Sequence, residues 1–160
     1  MPTRRVFLSL SYEDRQQARG VDLMPKNPNA DVDFSGRHLL NPVDSTDESY
    51  IKRQVKEQMH GTSVTAVLLG NDTHNSEWVK WEIEKSIERG NGILAIRLKD
   101  QDALLPPDSP VREALGEAGA EIIDWEPDEM NDAIERAFQQ ARRAEKIRSR
   151  SYSTTSSCAR

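Results

Sequence analysis

The chain has 160 residues, 31% of them charged and 36% hydrophobic, with a net charge of −5. That length suits one domain with a real core, and the acidic balance argues against nucleic acid as a partner, because phosphate binding needs a basic face. No apolar run approaches the length that crosses a bilayer. Met1-Pro-Thr-Arg-Arg5 lacks the make-up of a secretory leader, and the single cysteine, Cys158, allows neither an internal disulfide nor a cysteine metal site. The expectation is a cytoplasmic protein with no membrane partner, no nucleic-acid partner and no metal.

In chain order, Val6-Phe-Leu-Ser-Leu10 reads as a first strand, apolar enough to be buried on both faces. Ser11 opens a short helix to about Met24, with Glu13 and Asp14 in its first turn, where the helix dipole favours acids. Pro25 to Asn29 ends it. Ala30 to Phe34 is a weak strand, followed by a long loop from Ser35 to Asp47. Asp47 to His60 is a helix with Ile51, Val55 and Met59 on one stripe and Gly61 as its stop. Val64 to Leu69 is the clearest strand.

A polar loop, Asn71-Asp-Thr-His-Asn75, leads to a helix capped by Asn75 or Ser76, with Val79, Ile83 and Ile87 facing the sheet. Gly90 and Gly92 bracket the turn into a fourth strand, Ile93 to Ile96. Lys99 to Pro110 is a polar connection, Val111 to Gly116 a short helix and Ala120 to Asp124 a fifth strand. A last helix runs from Asp128 to about Ile147 with Ile134, Phe138 and Ala141 inward. Residues 149–160, rich in Ser, Thr and Arg, read as an unordered tail, which leaves 1–148 as one domain.

Strand and helix alternate five times, which gives an α/β fold with a parallel sheet. The expected architecture is flavodoxin-like: three layers, five strands in the order 2-1-3-4-5 and helices on both faces. In such sheets ligands bind beyond the strand C-termini at the point where the order reverses. Here that point lies between the loop at Ser9 to Asp14 and the loop at Asn71 to Ser76.

Several residues compete for a role there. Glu82 could be an ordinary solvated glutamate paired with Lys85 or Ser86. Three features weigh against this: Trp78 lies one turn before it, Trp81 adjoins it, and the helix starts at the predicted binding loop. An apolar wall raises a carboxylate's pKa and focuses its charge. Such a group can stabilise an oxocarbenium ion or hold sugar hydroxyls during glycosidic cleavage. Ser11, Tyr12 and Asp14 read first as helix caps, although the backbone N–H groups of such a turn also suit a phosphate.

His74 could act as a base but has no visible acid partner, and neither His38 nor His60 stands at metal-ligand spacing from it. Trp125 reads as core or as a lid. No GxGxxG or GxxxxGK[ST] loop is present, which excludes the usual dinucleotide dehydrogenases and P-loop enzymes. A phosphoacceptor receiver module, with Glu13, Asp14 and Asp72, is opposed by the lack of a lysine after the fifth strand.

Two motifs carry a resemblance. Val6-Phe-Leu-Ser-Leu-Ser-Tyr-Glu-Asp14 resembles the opening strand and loop of TIR (Toll/interleukin-1 receptor) domains, close to the VFLSFRGED of plant members. Ser76-Glu-Trp-Val-Lys-Trp-Glu-Ile83 resembles their S-x-W-C-x-x-E helix, with Val79 in the cysteine position. Over about residues 5–147 the chain is similar to the TIR subunits of prokaryotic Thoeris anti-phage defence systems. The resemblance implies cleavage of NAD+ as substrate and conversion to a cyclic or conjugated ADP-ribose signal that activates a partner effector. It places the catalytic glutamate at Glu82, an NAD-contacting loop at Ser9 to Tyr12 (Ser9, Ser11 and Tyr12), a gating loop at Phe34 to Asn41 and a pocket wall at Trp78. Asn75 completes the set of expected NAD-binding residues. NAD+ is substrate here, with no separate cofactor. The alternative is a non-enzymatic TIR module that works by TIR–TIR self-association.

Overall fold

Strand β3 (Val64–Leu69) is apolar or β-branched throughout and buried at all six positions, as a parallel strand covered on both faces must be. The computed structural model describes residues 4–11, 34–37, 47–99 and 102–155. Around β3 lie β1 (Arg4–Ser9), β2 (Phe34–Arg37), β4 (Gly92–Arg97) and β5 (Glu121–Asp124). They form one sheet in the order β2-β1-β3-β4-β5, and every neighbouring pair is parallel. The expected strand order is therefore the observed one, and it sets β1 and β3 side by side with Ser9 opposite Val67.

Side-chain alternation along the strands sorts the helices. Val6, Leu8, Val64, Ala66, Leu68, Leu94 and Ile96 point to one face, where they meet Met130, Ala133, Ile134 and Ala137 of the last helix, α4 (Pro127–Thr155). On the other face Phe7 meets Val55 and Met59 of α1 (Glu48–Met59). Beside it, Val67, Leu69, Ile93 and Ala95 meet Val79 and Ile83 of α2 (Glu77–Glu88), and Val111, Ala114 and Leu115 of α3 (Pro110–Ala118). The inward stripes of α1 and α2 are thus the ones that periodicity predicts. Trp125 is partly buried against the α4 side of the core.

The helix starts follow from their caps. Asp47 accepts from Ser49 N–H at 3.0 Å and Tyr50 N–H at 3.4 Å. Ser76, rather than Asn75, caps α2 by accepting from Val79 N–H at 3.2 Å. Ser109 caps α3 at 3.1 Å, with Pro110 in the first turn. Gly92 serves the packing of α4: a Cβ there would lie 2.2 Å from the Ala137 carbonyl oxygen, so the residue that opens β4 must be glycine for α4 to lie so close.

Two expectations are corrected. The described second strand is Phe34–Arg37, so the loop expected from Ser35 begins instead as strand, while residues 30–33 of the expected strand lie outside the described residues. Phe34–Arg37 has no strong β propensity, and its parallel pairing with β1 from Arg4↔Phe34 holds it as strand. The last helix does not stop near Ile147 but runs to Thr155, through residues expected to be unordered. Residues 142–151 are all exposed. A nucleated helix can nevertheless propagate without burial. Ser149 and Ser151 donate their hydroxyls to the carbonyls of Lys146 and Arg148 at 2.9 and 2.8 Å. The predicted helix from Ser11 to Met24 falls, beyond Ser11, outside the described residues, as do residues 38–41 of the gating loop and the tail from 156. No described helix is long and apolar enough to cross a membrane.

Candidate active site

The candidate site begins with a polar residue in an apolar strand. Ser9 ends β1 and is fully buried. A hydroxyl in such a place needs a partner, because burying one unpaired costs free energy. Its partner is Glu82: the Ser9 hydroxyl donates to the carboxylate of Glu82 across the junction of β1 and α2. Helix α2 brings Glu82 there because Val79 and Ile83, both fully buried, fix which face meets the sheet.

Glu82 keeps partial solvent access as a residue, yet its carboxyl is densely enclosed and is pushed up to about 8. Burial is the larger cause. The Ser9 hydrogen bond favours the charged form and opposes it. A strongly perturbed titratable group of this kind is a functional-site candidate, and it sits at the sheet's reversal point.

A buried polar chain fixes the helix from behind. The Ser86 hydroxyl donates to the Glu82 carbonyl at 2.8 Å and lies 2.6 Å from the Thr65 hydroxyl. Asn91 donates to Thr65 at 3.3 Å and to Thr62 at 3.0 Å. The chain ties α2 to β3 at the level of Glu82.

The other candidates fall into place unevenly. Trp78 is 40% exposed and meets Trp81 edge-on, with ring centroids 5.7 Å apart and planes at 82°. Both tryptophans line a hollow with Glu48, Lys52, Glu77, Lys80 and Glu84, and Glu82 is not part of that lining. Lys52 lies 5.5 Å from the Trp81 ring centroid. Ser11 is half-buried just beyond β1, and Asn75 is exposed on the 3₁₀ turn Thr73–Asn75. Phe34 opens β2, whereas Tyr12 lies outside the described residues.

His74 accepts at its carbonyl from the Ser109 hydroxyl at 2.7 Å. Its buried Nδ1 has no hydrogen-bond partner among the described residues. Among the described residues no group of three or more His, Cys, Asp or Glu could hold a metal ion. What sequence reasoning missed is the pairing itself. It treated Ser9 as a loop contact for NAD, although a serine inside Val6-Phe-Leu-Ser-Leu10 is the signal of a buried hydroxyl in need of a partner.

Comparison with known proteins bears on this geometry. Residues 7–103 match the family model described as the Thoeris protein ThsB, TIR-like domain. The matched span contains the end of β1, together with β3, α2 and β4, and with them Ser9 and Glu82. Over 100 residues the chain is 35% identical to a protein of Bacillus cereus (strain MSX-D12) provisionally named cyclic ADP-D-ribose synthase ThsB1. The match covers 59% of this chain and 52% of that protein, so the chain spans about half the length of this relative.

Proposed function

The chain belongs to the Thoeris ThsB TIR-like family, and from that membership we propose that it cleaves the nicotinamide–ribose bond of NAD+ and converts the remainder into a cyclic ADP-ribose-type signalling nucleotide. In this reading the nucleotide activates an effector protein in anti-phage immunity, and the enzyme works in the cytoplasm. The reading takes 1–148 as the TIR-like unit and the fold as flavodoxin-like. Its main support is the enclosed carboxyl of Glu82, held by Ser9 at the reversal point of the sheet. The provisional name of the Bacillus cereus relative agrees with it.

NAD+ would lie across the C-terminal ends of β1 and β3, with the nicotinamide ribose beside Glu82. Ser11, Tyr12, Phe34 and Asn75 would surround the rest of the dinucleotide, and Trp78 would wall it. As the glycosidic bond stretches, positive charge grows at the ribose C1′, and an adjacent carboxylate in a dry site lowers that barrier. Nicotinamide departs as a neutral amine, so no acid need protonate it. A nucleophile within the same molecule, or water, then closes the reaction.

The test is to incubate the protein with NAD+, alone and with extract of phage-infected cells, and resolve the products by mass spectrometry. Release of nicotinamide with a cyclic ADP-ribose isomer is expected, and its absence under both conditions would overturn the reading. A second reading, a non-enzymatic module acting by TIR–TIR association, is favoured by the exposed Trp78 beside Trp81. It predicts concentration-dependent assembly in light scattering without NAD+ turnover.

A further inference from the structure

Among the described residues, no salt bridge supplies the buried carboxyl of Glu82 with a counter-cation. Its side-chain partner among the described residues is the hydroxyl of Ser9. Several described cations on the surrounding elements are held by other acids. On α2, Lys80 pairs with Glu84 at 3.9 Å and Lys85 with Glu88 at 2.9 Å. On α1, Lys52 pairs with Glu48 at 2.6 Å. On β1, Arg4 reaches Glu135 at 2.9 Å, and on β4, Arg97 reaches Asp124 at 3.1 Å. Strand β3 carries no charged residue at all.

A buried carboxyl without a cationic neighbour keeps its proton, because desolvation disfavours the charged form. Yet the chemistry proposed for the site uses the carboxylate. The two requirements meet if a cation arrives with the ligand.

We propose that Ser9 is a positioning residue that holds the Glu82 carboxyl, and that the positively charged nicotinamide ring of the bound substrate is its counter-cation, so that substrate binding expels a proton from Glu82. The inference rests on the reading of the site as one for NAD+. In the empty site the Ser9 hydroxyl donates to one carboxyl oxygen and the proton sits on the other. When the pyridinium enters, that proton leaves to solvent and the Ser9 hydrogen bond stays. The carboxylate is thereby created where and when the ribosyl cation will form. The carboxyl's elevated titration, to about 8, agrees with the geometry, as does the opposing effect of Ser9. The site would then select oxidised NAD+ over NADH at the binding step, since the neutral dihydropyridine ring offers no charge to replace the proton.

The probe is carbocyclic NAD+, which keeps the pyridinium but cannot lose it by ribosyl cleavage. Titration calorimetry near pH 6.5, in two buffers of different ionisation enthalpy, reads the protons released. Close to one proton is expected for wild type with carbocyclic NAD+, none for Glu82→Gln, and none for NADH. Ser9→Ala removes the bond that favours the carboxylate. It should move the acidic limb of the kcat/KM profile for NAD+ upward by about one pH unit, a roughly tenfold loss on that limb. Ser9→Thr keeps the hydroxyl and should restore the profile.

Binding of carbocyclic NAD+ without proton release overturns the inference while leaving NAD+ as substrate. An unshifted profile in a folded Ser9→Ala protein overturns the role of Ser9. Failure to bind the probe, together with failure to turn over NAD+, overturns the functional reading itself.

Discussion

Glu82 combines two properties that strain against each other, density of packing and ionisable character. The folded protein holds its proton up to about pH 8, whereas in the unfolded chain a glutamate releases it near pH 4.3. The sign follows. Below the unfolded value both states are protonated and the group carries no penalty. As pH rises toward 8 the unfolded state gains from ionising and the folded state does not, so stability falls across that window. Glu82→Gln should therefore melt at nearly the same temperature as wild type at pH 4.5 and several degrees higher at pH 8, measured by thermal denaturation. The same variant should lower NAD+ turnover by about 10²-fold or more, as loss of an electrostatic stabiliser does. Retained turnover in a folded protein would remove Glu82 from the chemistry.

At the scale of elements, α4 shows how a helix is seated. Its backbone lies so close to β4 that Gly92 cannot accept a methyl group. Gly92→Ala must push α4 outward against a packed face, at a cost of about 3 kcal/mol, which urea denaturation would read as a lower midpoint. Arg4 ties the same helix to β1 with two bonds to Glu135, at 2.9 and 3.0 Å, and its guanidinium lies 3.6 Å from the Phe138 ring centroid. The Arg4 hydrogen bonds hold the Glu135 carboxyl below its ordinary range. That contribution is present above the unfolded carboxylate pKa and fades as pH falls. Because the pair is partly solvated, Arg4→Ala should cost about 1 kcal/mol or less, and less still at acid pH.

For the whole molecule, the sheet carries the stability and the far end of α4 does not. Leu94 is fully buried in β4, and Leu94→Ala should cost about 3 kcal/mol. By contrast, a chain ended after Arg148 loses only exposed helix among the residues whose burial is described, and its melting temperature should stay within about 2 °C of the full chain. A larger drop would mean that the end of α4 is held by something beyond its own backbone. The central strands and inward helix stripes were legible in the sequence because buried parallel strands and amphipathic helices write their periods directly into residue order. The edge strand at Phe34–Arg37 was not, for its residues have little intrinsic preference and take their conformation from β1.

The sequence by itself determined the α/β alternation, the glutamate one turn after Trp78 and the two motifs that resemble TIR domains. These are properties of neighbours along the chain, set by spacing and side-chain chemistry. Only the tertiary structure decided what Glu82 touches. Ser9 and Glu82 stand 73 positions apart, and no local pattern records that the pleat of β1 turns this hydroxyl toward the face on which α2 packs. That meeting makes Glu82 an enclosed carboxyl with a buried hydroxyl as its partner.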